Sequence, residues 1–188
     1  MRCVPRSRRA SEPPTGLVYE PELLTPAEER TLLDVLDATE FEEIVMKGVV
    51  ARRTALRFGR GYDYDRRTPL PGAAPVPGWL EPARARAAQL AGVRPDDLVQ
   101  ALVQRYPVGA PIGWHRDAPA YGLVAGLSLL SPAPMRFRRG PAGDREQWEV
   151  VLEPRSGYVL AGDARWEWEH HVPPAKSLRY SITFRTPR

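Results

Sequence analysis

Apolar positions before residue 97 predict two helices with β structure between them. Leu32, Leu33 and Leu36 follow a Thr25-Pro26-Ala27-Glu28 start, so a helix is expected from about residue 25 to 38. A second helix is expected over about Glu81–Ala91. The β-branched stretch from 41 to 58 predicts two short strands, and the Gly/Pro-rich stretch from 58 to 79 predicts a long loop.

After residue 97 the pattern changes to short apolar segments separated by turns. These segments predict strands at 98–106, 112–117, 122–130, 135–140, 147–153, 157–162 and 178–185. Many short strands preceded by two helices indicate an α+β, mainly β fold. We expect a double-stranded β-helix, or jelly roll, with the N-terminal helices packed on one side.

The chain is expected to form one domain over residues 16–188, preceded by a disordered basic tail over 1–15. No apolar run approaches the roughly 18 residues of a membrane span, and no hydrophobic segment follows the basic start. We therefore expect a cytoplasmic protein. A monomer is also expected. Cys3 is the only cysteine, which excludes an internal disulfide and any cysteine-based metal cluster.

The charge pattern is dominated by arginine. The net charge is +4, and the 27 basic residues are 25 Arg and two Lys. Arginine suits bidentate contacts with phosphate and carboxylate groups. A compositional bias is the alternative, because Arg, Pro and Ala are abundant together and Asn is absent.

The segment Gly113-Trp-His-Arg-Asp117 contains the candidate chemistry. His-Arg-Asp also occurs in protein kinases, but their catalytic loop needs an Asn five residues after the Asp, where this chain has Gly122. In a strand, His115 and Asp117 point to the same side, as two ligands of one metal ion must. A facial triad needs another histidine, and only His170 and His171 remain. The alternative is a chance surface pair.

The last predicted strand alternates between an apolar and a polar face. Arg179, Ser181, Thr183 and Arg185 share the polar face. If both faces are buried, the two arginines need anionic partners such as the carboxylates of a dicarboxylate ligand. The alternative is a polar face exposed to solvent.

Four motifs in order resemble the AlkB family of Fe(II)/2-oxoglutarate dioxygenases. They are QRYPVGAPIGWHRD (104–117), GLVAGLSLLSPAPMRFRRG (122–140), GYVLAGDARWEWEHHV (157–172) and RYSITFR (179–185), the last being similar to the family's Arg-x5-Arg signature. The resemblance covers roughly residues 15–188 and implies Fe(II) and 2-oxoglutarate as cofactors, with O2 as co-substrate.

The resemblance also implies roles for single residues. His115, Asp117 and His170 would hold the iron; His170 is chosen over His171 because the family's ligand follows an Arg-x-x-Trp-x stretch. Arg179 and Tyr106 would bind the distal carboxylate of 2-oxoglutarate, and Arg185 would lie at the metal-proximal carboxylate. Gln104, Ser181 and Thr183 complete the expected co-substrate contacts.

The substrate expected from the resemblance is alkylated DNA or RNA, which would be oxidatively demethylated. The family's lid corresponds to residues 44–67, where Arg and aromatic residues suit phosphate contact and base stacking; the candidates are Arg52, Arg53, Arg57, Phe58, Tyr62 and Tyr64. Packing is the alternative for these aromatics, and Trp114 is expected in the core.

Pro119 replaces an acid that helps recognise the base in DNA-repair members, so a protein or small-molecule substrate is the alternative.

Overall fold

The computed structural model describes residues 6–46, 48–63, 68–70 and 74–188. Its α-helices are α1 (Pro26–Asp37), α2 (Glu81–Ala91) and α3 (Gly162–Trp166), and short 3-10 turns lie at Gly78–Leu80 and Pro95–Asp97. Among these helices none has both the length and the apolar character needed to cross a membrane.

Strands make up most of the rest of the described chain. In chain order they are β1 (Arg6–Arg9), β2 (Leu17–Glu20), β3 (Glu42–Met46), β4 (Val49–Gly59), β5 (Gly61–Asp63), β6 (Thr68–Leu70), β7 (Gln100–Tyr106), β8 (Ile112–His115), β9 (Tyr121–Leu129), β10 (Ala133–Arg139), β11 (Asp144–Leu152), β12 (Gly157–Leu160), β13 (Glu169–Val172) and β14 (Arg179–Pro187).

Two sheets stack face to face. The major sheet has the order β2-β12-β9-β14-β7-β4-β3, the minor sheet has the order β1-β11-β10-β13-β8, and β5 pairs with β6 alone. Val124 and Leu160 of the major sheet share an apolar cluster with Phe137 and Leu152 of the minor sheet. This arrangement confirms the predicted mainly-β jelly roll.

The other face of the major sheet packs against the helices. Thr25 caps α1: its Oγ1 accepts from the Glu28 amide at 3.2 Å, and the Glu28 carboxylate accepts from the Thr25 amide at 2.7 Å. Leu36 of α1 and Ala87 of α2 belong to the same apolar cluster as Ile182 of β14. Helices therefore cover one face of this sheet, and the minor sheet covers the other.

The structure differs from the sequence-based expectation in several places. Strand β2 was not predicted, and β5 and β6 lie within the stretch 58–79 that was predicted as a long loop. Arg6–Arg9, predicted as part of a disordered tail, form a strand parallel to β11. The strand predicted over 112–117 ends at His115, so Asp117 lies beyond it. Helix α3 and strand β13 lie within a stretch for which no element was predicted after residue 162. The predicted strand pair between 41 and 58 is confirmed as β3 and β4.

Candidate active site

A cavity of about 520 Å³ lies between the two sheets. Strand β14 contributes the polar face predicted from its alternation, and β7 lies beside it in antiparallel register. The facing pairs are Arg179 with Tyr106, Ser181 with Gln104, Thr183 with Leu102, and Arg185 with Gln100. All eight side chains are buried, and seven of them line the cavity. The polar face of β14 is therefore an interior wall and not a solvent-exposed surface.

His115, Asp117 and His170 come together at one end of this cavity. One ligand atom from each residue lies within 4.8 Å of the other two. His115 and His170 are direct partners across β8 and β13, with ring centroids 4.2 Å apart. His170 Nε2 lies 3.6 Å from Asp117 Oδ2. Strand pairing thus supplies the two histidines, and the chain just after β8 supplies the carboxylate.

Hydrogen bonds orient two of these three groups. The Gly113 carbonyl accepts from His115 Nδ1 at 2.8 Å, which leaves Nε2 with a free lone pair. Arg185 donates to Asp117 Oδ1 through Nη2 at 2.6 Å and through Nε at 3.1 Å. Asp117 therefore keeps Oδ2 on the side of the histidines, as a metal ligand would.

The electrostatics of the site favour metal-binding protonation states. Burial, helped by the neighbouring His115, lowers the pKa of His170 to about 3, and burial likewise lowers the pKa of His115. Burial alone would raise the pKa of Asp117, but the Arg185 guanidinium and the two imidazoles outweigh it and hold that pKa below its usual range. At neutral pH the site offers two neutral imidazoles and one carboxylate, the donor set of a non-haem Fe(II) centre.

The opposite end of the β14 wall carries a buried cation. Arg179 is 2% exposed, donates from Nε to Ser128 Oγ at 3.1 Å, and lies over the Tyr106 ring at 5.1 Å. Tyr106 donates to Gln104 Oε1 at 3.1 Å. Among the described residues no carboxylate lies within ion-pair distance of Arg179. A buried guanidinium of this kind calls for an anionic ligand, and one carboxylate of 2-oxoglutarate fits that requirement.

Three polar residues in or beside the cavity were not among the predicted site residues. Ser128 accepts from Arg179, Gln100 accepts from Arg185 Nη1 at 2.6 Å, and the Tyr158 ring lines the cavity. One signal for Tyr158 was present in the sequence. Gly126 lies in the interior of β9, and a Cβ there would meet the Tyr158 ring at 2.2 Å.

Strand β4 divides the predicted substrate residues between its two faces. Arg53 and Arg57 line the cavity, whereas Phe58 packs edge-on against Trp79, with centroids 6.2 Å apart, in the helix-covered core. The substrate role predicted for Phe58 is therefore wrong, because alternation along β4 turns it away. Arg52 lies on the same face of β4 as Phe58. It is exposed and does not line the cavity.

Two predicted substrate residues cannot be placed. Tyr64 lies outside the described residues, and so does the side chain of Tyr62.

Trp114 and His171 lie side by side, and Trp114 is one of the residues that line the cavity. Their ring centroids are 4.9 Å apart, and the Arg138 guanidinium lies 4.2 Å from the Trp114 centroid. His171 Nδ1 is 2.8 Å from the Ile112 carbonyl. The expectation that Trp114 is a core residue is wrong, since it is only partly buried. Of the two neighbouring histidines, His170 alone joins the ligand cluster.

Comparison with known proteins identifies relatives among AlkB homologues. The chain is 28% identical over 198 residues to an alkylated DNA repair protein ALKBH8 homolog of Arabidopsis thaliana, covering 93% of this chain and 56% of that protein. It is 27% identical to a tRNA (carboxymethyluridine(34)-5-O)-methyltransferase alkbh8 of Xenopus tropicalis, covering 87% of this chain and 26% of that protein. The chain thus spans about half or less of these relatives. They confirm the AlkB resemblance predicted from the motifs.

Solved structures share the fold at low identity. OsALKBH1 matches with a TM-score of 0.64 at 17% identity, covering 94% of this chain and 100% of that chain. A prolyl-4-hydroxylase of Pseudomonas putida matches with a TM-score of 0.63 at 16% identity, covering 92% of this chain and 93% of that chain.

The family profile extends over nearly the whole chain. The 2OG-Fe(II) oxygenase superfamily matches residues 16–185, a range that contains the ligand cluster and the β14 wall. Fe(II) and 2-oxoglutarate, the cofactors predicted from the resemblance, are those of this family. The chain belongs to the 2OG-Fe(II) oxygenase superfamily.

Proposed function

We propose that this chain is an Fe(II)/2-oxoglutarate-dependent dioxygenase that oxidatively demethylates alkylated bases in DNA or RNA. The observation that carries the proposal is the arrangement of one cavity: two neutral histidines and a carboxylate at one end, and the buried Arg179 at the other. A divalent metal and a dicarboxylate complement these two ends.

In this proposal the residues of the cavity bind and orient, and none is required as a general base. His115, Asp117 and His170 would hold Fe(II). Arg179, with Tyr106, would hold one carboxylate of 2-oxoglutarate, and Arg185 would help to bind the other. Gln104, Ser181 and Thr183 line the same wall. When bound, Fe(II) and 2-oxoglutarate with O2 supply the oxidation of a substrate C–H bond to C–OH, with release of succinate and CO2.

Loss of a methyl group follows from the product of that oxidation. A hydroxymethyl group on nitrogen breaks down to formaldehyde and the free N–H. Apolar side chains, among them Met135, Leu152 and Val172, line the same cavity and lower the polarity around the reacting centre.

A nucleic-acid substrate is supported by charge at the cavity and by an apolar surface at its rim. Arg53 and Arg57 line the cavity, and guanidinium groups suit phosphate contacts. Val45 lines it as well and is 56% exposed, and Val49 and Val50 beside it are 69% and 53% exposed. An exposed apolar cluster beside a cavity is typical of a surface that a macromolecule covers. The printed names of the relatives refer to alkylated DNA and to tRNA.

The second candidate is the same oxygenation on a protein or small molecule. Pro119 favours it, because the corresponding acid of DNA-repair members helps to recognise the base. The fold itself does not restrict the substrate, since a prolyl-4-hydroxylase shares it.

The test begins with anaerobic titration of the full chain with Fe(II) and 2-oxoglutarate. Succinate and formaldehyde are then measured in air with N-methylated single-stranded DNA and RNA. Formaldehyde formed together with succinate is expected, and His115→Ala should abolish both. Binding of Fe(II) and 2-oxoglutarate without formaldehyde from any methylated polymer would favour the second candidate. Failure to bind either would refute the oxygenase.

Two variants separate polymer from small-molecule substrates. Val49→Ser with Val50→Ser is expected to raise KM for a methylated oligonucleotide about tenfold and to leave turnover of a methylated nucleoside unchanged, because only the polymer reaches the exposed valines. Val151→Ser, at a valine 42% exposed on β11, is the matched control. An unchanged KM in the double variant would show that Val49 and Val50 do not contact the substrate.

A further inference from the structure

A buried arginine outside the cavity connects the two chain segments that supply the metal ligands. Arg165 lies in α3, five residues before His170, and is 2% exposed. The residue is not among those that line the cavity between the sheets. In the AlkB-like motif, Arg165 serves only to mark the position of the ligand His170.

The guanidinium of Arg165 donates to four backbone carbonyls of the segment that begins at Asp117. Nε donates to Gly122 at 2.7 Å, and Nη2 donates to Ala118 and to Tyr121, both at 2.8 Å. Nη1 lies 3.4 Å from the Asp117 carbonyl, a longer contact. One side chain from the His170 segment thus fixes the backbone that carries the carboxylate ligand.

This arrangement requires arginine in particular. Burying a cation costs free energy unless its donors are hydrogen-bonded. Here each of the three guanidinium nitrogens donates to at least one of the four carbonyls. One face of the guanidinium lies on the Trp166 ring, with Cζ 4.2 Å from the ring centroid. Lysine would bring three donors from a single atom and could not span carbonyls of Ala118 and Gly122 together.

A second arginine connects the same two segments in the opposite direction. Arg116, between the ligands His115 and Asp117, donates from Nη2 to the Glu167 carbonyl at 3.0 Å. Asp117 follows the end of β8 and so has no strand partner to fix its backbone, in contrast to His115 and His170. The hydrogen bonds made by Arg165 and Arg116 take the place of that missing strand pairing.

We propose that Arg165 is a positioning residue of the metal centre: by binding the 117–122 backbone it holds the Asp117 carboxylate in the ligand geometry before any metal arrives. Asp117 then does not have to be ordered by the ion, so the ordering cost is absent from the binding free energy. This inference rests on the proposed metal site.

The test uses Co(II) alone as the probe and the full metal-free chain. Arg165→Lys is expected to raise the Kd for Co(II) about 10- to 100-fold, the range for loss of a residue that orients a metal ligand, and to change the visible spectrum of bound Co(II). The matched control is Arg84→Lys: Arg84 is 12% exposed, donates to the Pro95 carbonyl at 2.7 Å, and belongs to α2. The control should lower stability slightly and leave both the Kd and the spectrum unchanged.

The possible failures are distinguishable. If the wild-type chain binds no Co(II), the proposed metal site itself is refuted. If the wild type binds and a folded Arg165→Lys binds with the same Kd and spectrum, only the positioning role is overturned.

Hydrogen exchange on the wild type decides the case in which Arg165→Lys does not fold. The Tyr121 amide, which donates to the Ala118 carbonyl at 3.1 Å, should be protected already in the metal-free chain. Protection that appears only after Co(II) is added would overturn the proposal, because the segment would then be ordered by the metal and not by Arg165.

Discussion

Arg179 and Arg185 lie on the same face of β14, six residues apart, and both are buried, yet their surroundings differ. Arg185 is 3% exposed and pairs with Asp117 at 2.6 Å, with Gln100 as a further acceptor. Arg179 is 2% exposed and has the Ser128 hydroxyl and the Tyr106 ring as neighbours. One charge is balanced within the protein, and the other has no carboxylate at ion-pair distance among the described residues.

This difference separates a cation whose charge is balanced within the protein from a cation whose counter-ion would come with a ligand. Removing one member of a buried ion pair leaves the other charged and unpaired, so the folded state should suffer. Removing a buried cation whose anion arrives with a ligand should weaken ligand binding instead. Similar burial and identical side chains thus predict opposite effects.

The largest expected effect is on folding. Arg185→Met should destabilise the metal-free chain by about 3–5 kcal/mol, because the Asp117 carboxylate stays buried without its partner. Urea denaturation monitored by circular dichroism measures this loss, and Co(II) should restore part of it. Arg84→Met, at an arginine paired with the exposed Asp96 and Glu81, should cost no more than about 1 kcal/mol. Equal losses in the two variants would contradict a special role for the Asp117 pair.

The next effect is on the co-substrate. Arg179→Met should weaken 2-oxoglutarate binding about 100-fold, equivalent to about 2.7 kcal/mol, because the charge-assisted bonds to one carboxylate disappear. Calorimetric titration in the presence of Co(II) measures it, and the Kd for Co(II) itself should not change. Wild-type affinity for 2-oxoglutarate in this variant would show that the dicarboxylate lies elsewhere.

An intermediate effect is expected from pH. His170 has a folded-state pKa of about 3 against an ordinary value of 6.5, so between these values the unfolded state alone takes up the proton. The stability associated with neutral His170 is fully present above pH 6.5 and is lost as pH falls through this window. Lowering the pH from 7.5 to 5.0 should therefore cost the metal-free chain about 2 kcal/mol from His170 alone.

Urea denaturation of the metal-free chain at the two pH values, with EDTA present, checks this expectation. His170→Gln should remove the part of the pH dependence of stability that comes from His170. The pH dependence that remains should have the same sign, because the pKa of His115 is also lowered. A pH dependence that His170→Gln does not reduce would contradict the neutral state inferred for this histidine.

The smallest effect has the opposite sign. Without 2-oxoglutarate, Arg179→Met should leave the chain as stable as the wild type or up to about 1 kcal/mol more stable, because an unbalanced buried charge is replaced by an apolar side chain of similar length. Thermal unfolding of both metal-free proteins measures the difference. Destabilisation as large as that of Arg185→Met would remove the distinction between the two arginines.

Much of the fold and of the candidate site could be predicted from local patterns. The Thr25–Glu28 capping box and the apolar spacing after it predicted α1, and alternation along β14 identified the polar wall. His115, Asp117 and His170 were selected by motif order, and the structure brings them within 4.8 Å of one another. These features depend on residues close in sequence or on motifs with fixed spacing, which is why the sequence was sufficient.

Other features depend on contacts between distant segments. Phe58 and Arg57 are adjacent in an arginine–aromatic stretch, and only the packing of β4 assigns Phe58 to the core and Arg57 to the cavity. Ser128 can accept from Arg179 because β9 pairs with β14, which places Ser128 opposite Ser181. Trp114 could not be placed because its neighbours, Arg138 and His171, belong to other strands.

Local sequence patterns were enough to predict the mainly-β jelly roll, the ligand motifs and the family. Contacts between distant strands establish which arginine of β14 is paired within the protein and which is left for a ligand, and they place Arg165 across the segment that carries Asp117. The physical reason is that alternation specifies the face on which a side chain lies, whereas its partners depend on which strands and loops meet that face. Charge balance in a buried site is therefore a property of the assembled sheets and not of any single segment.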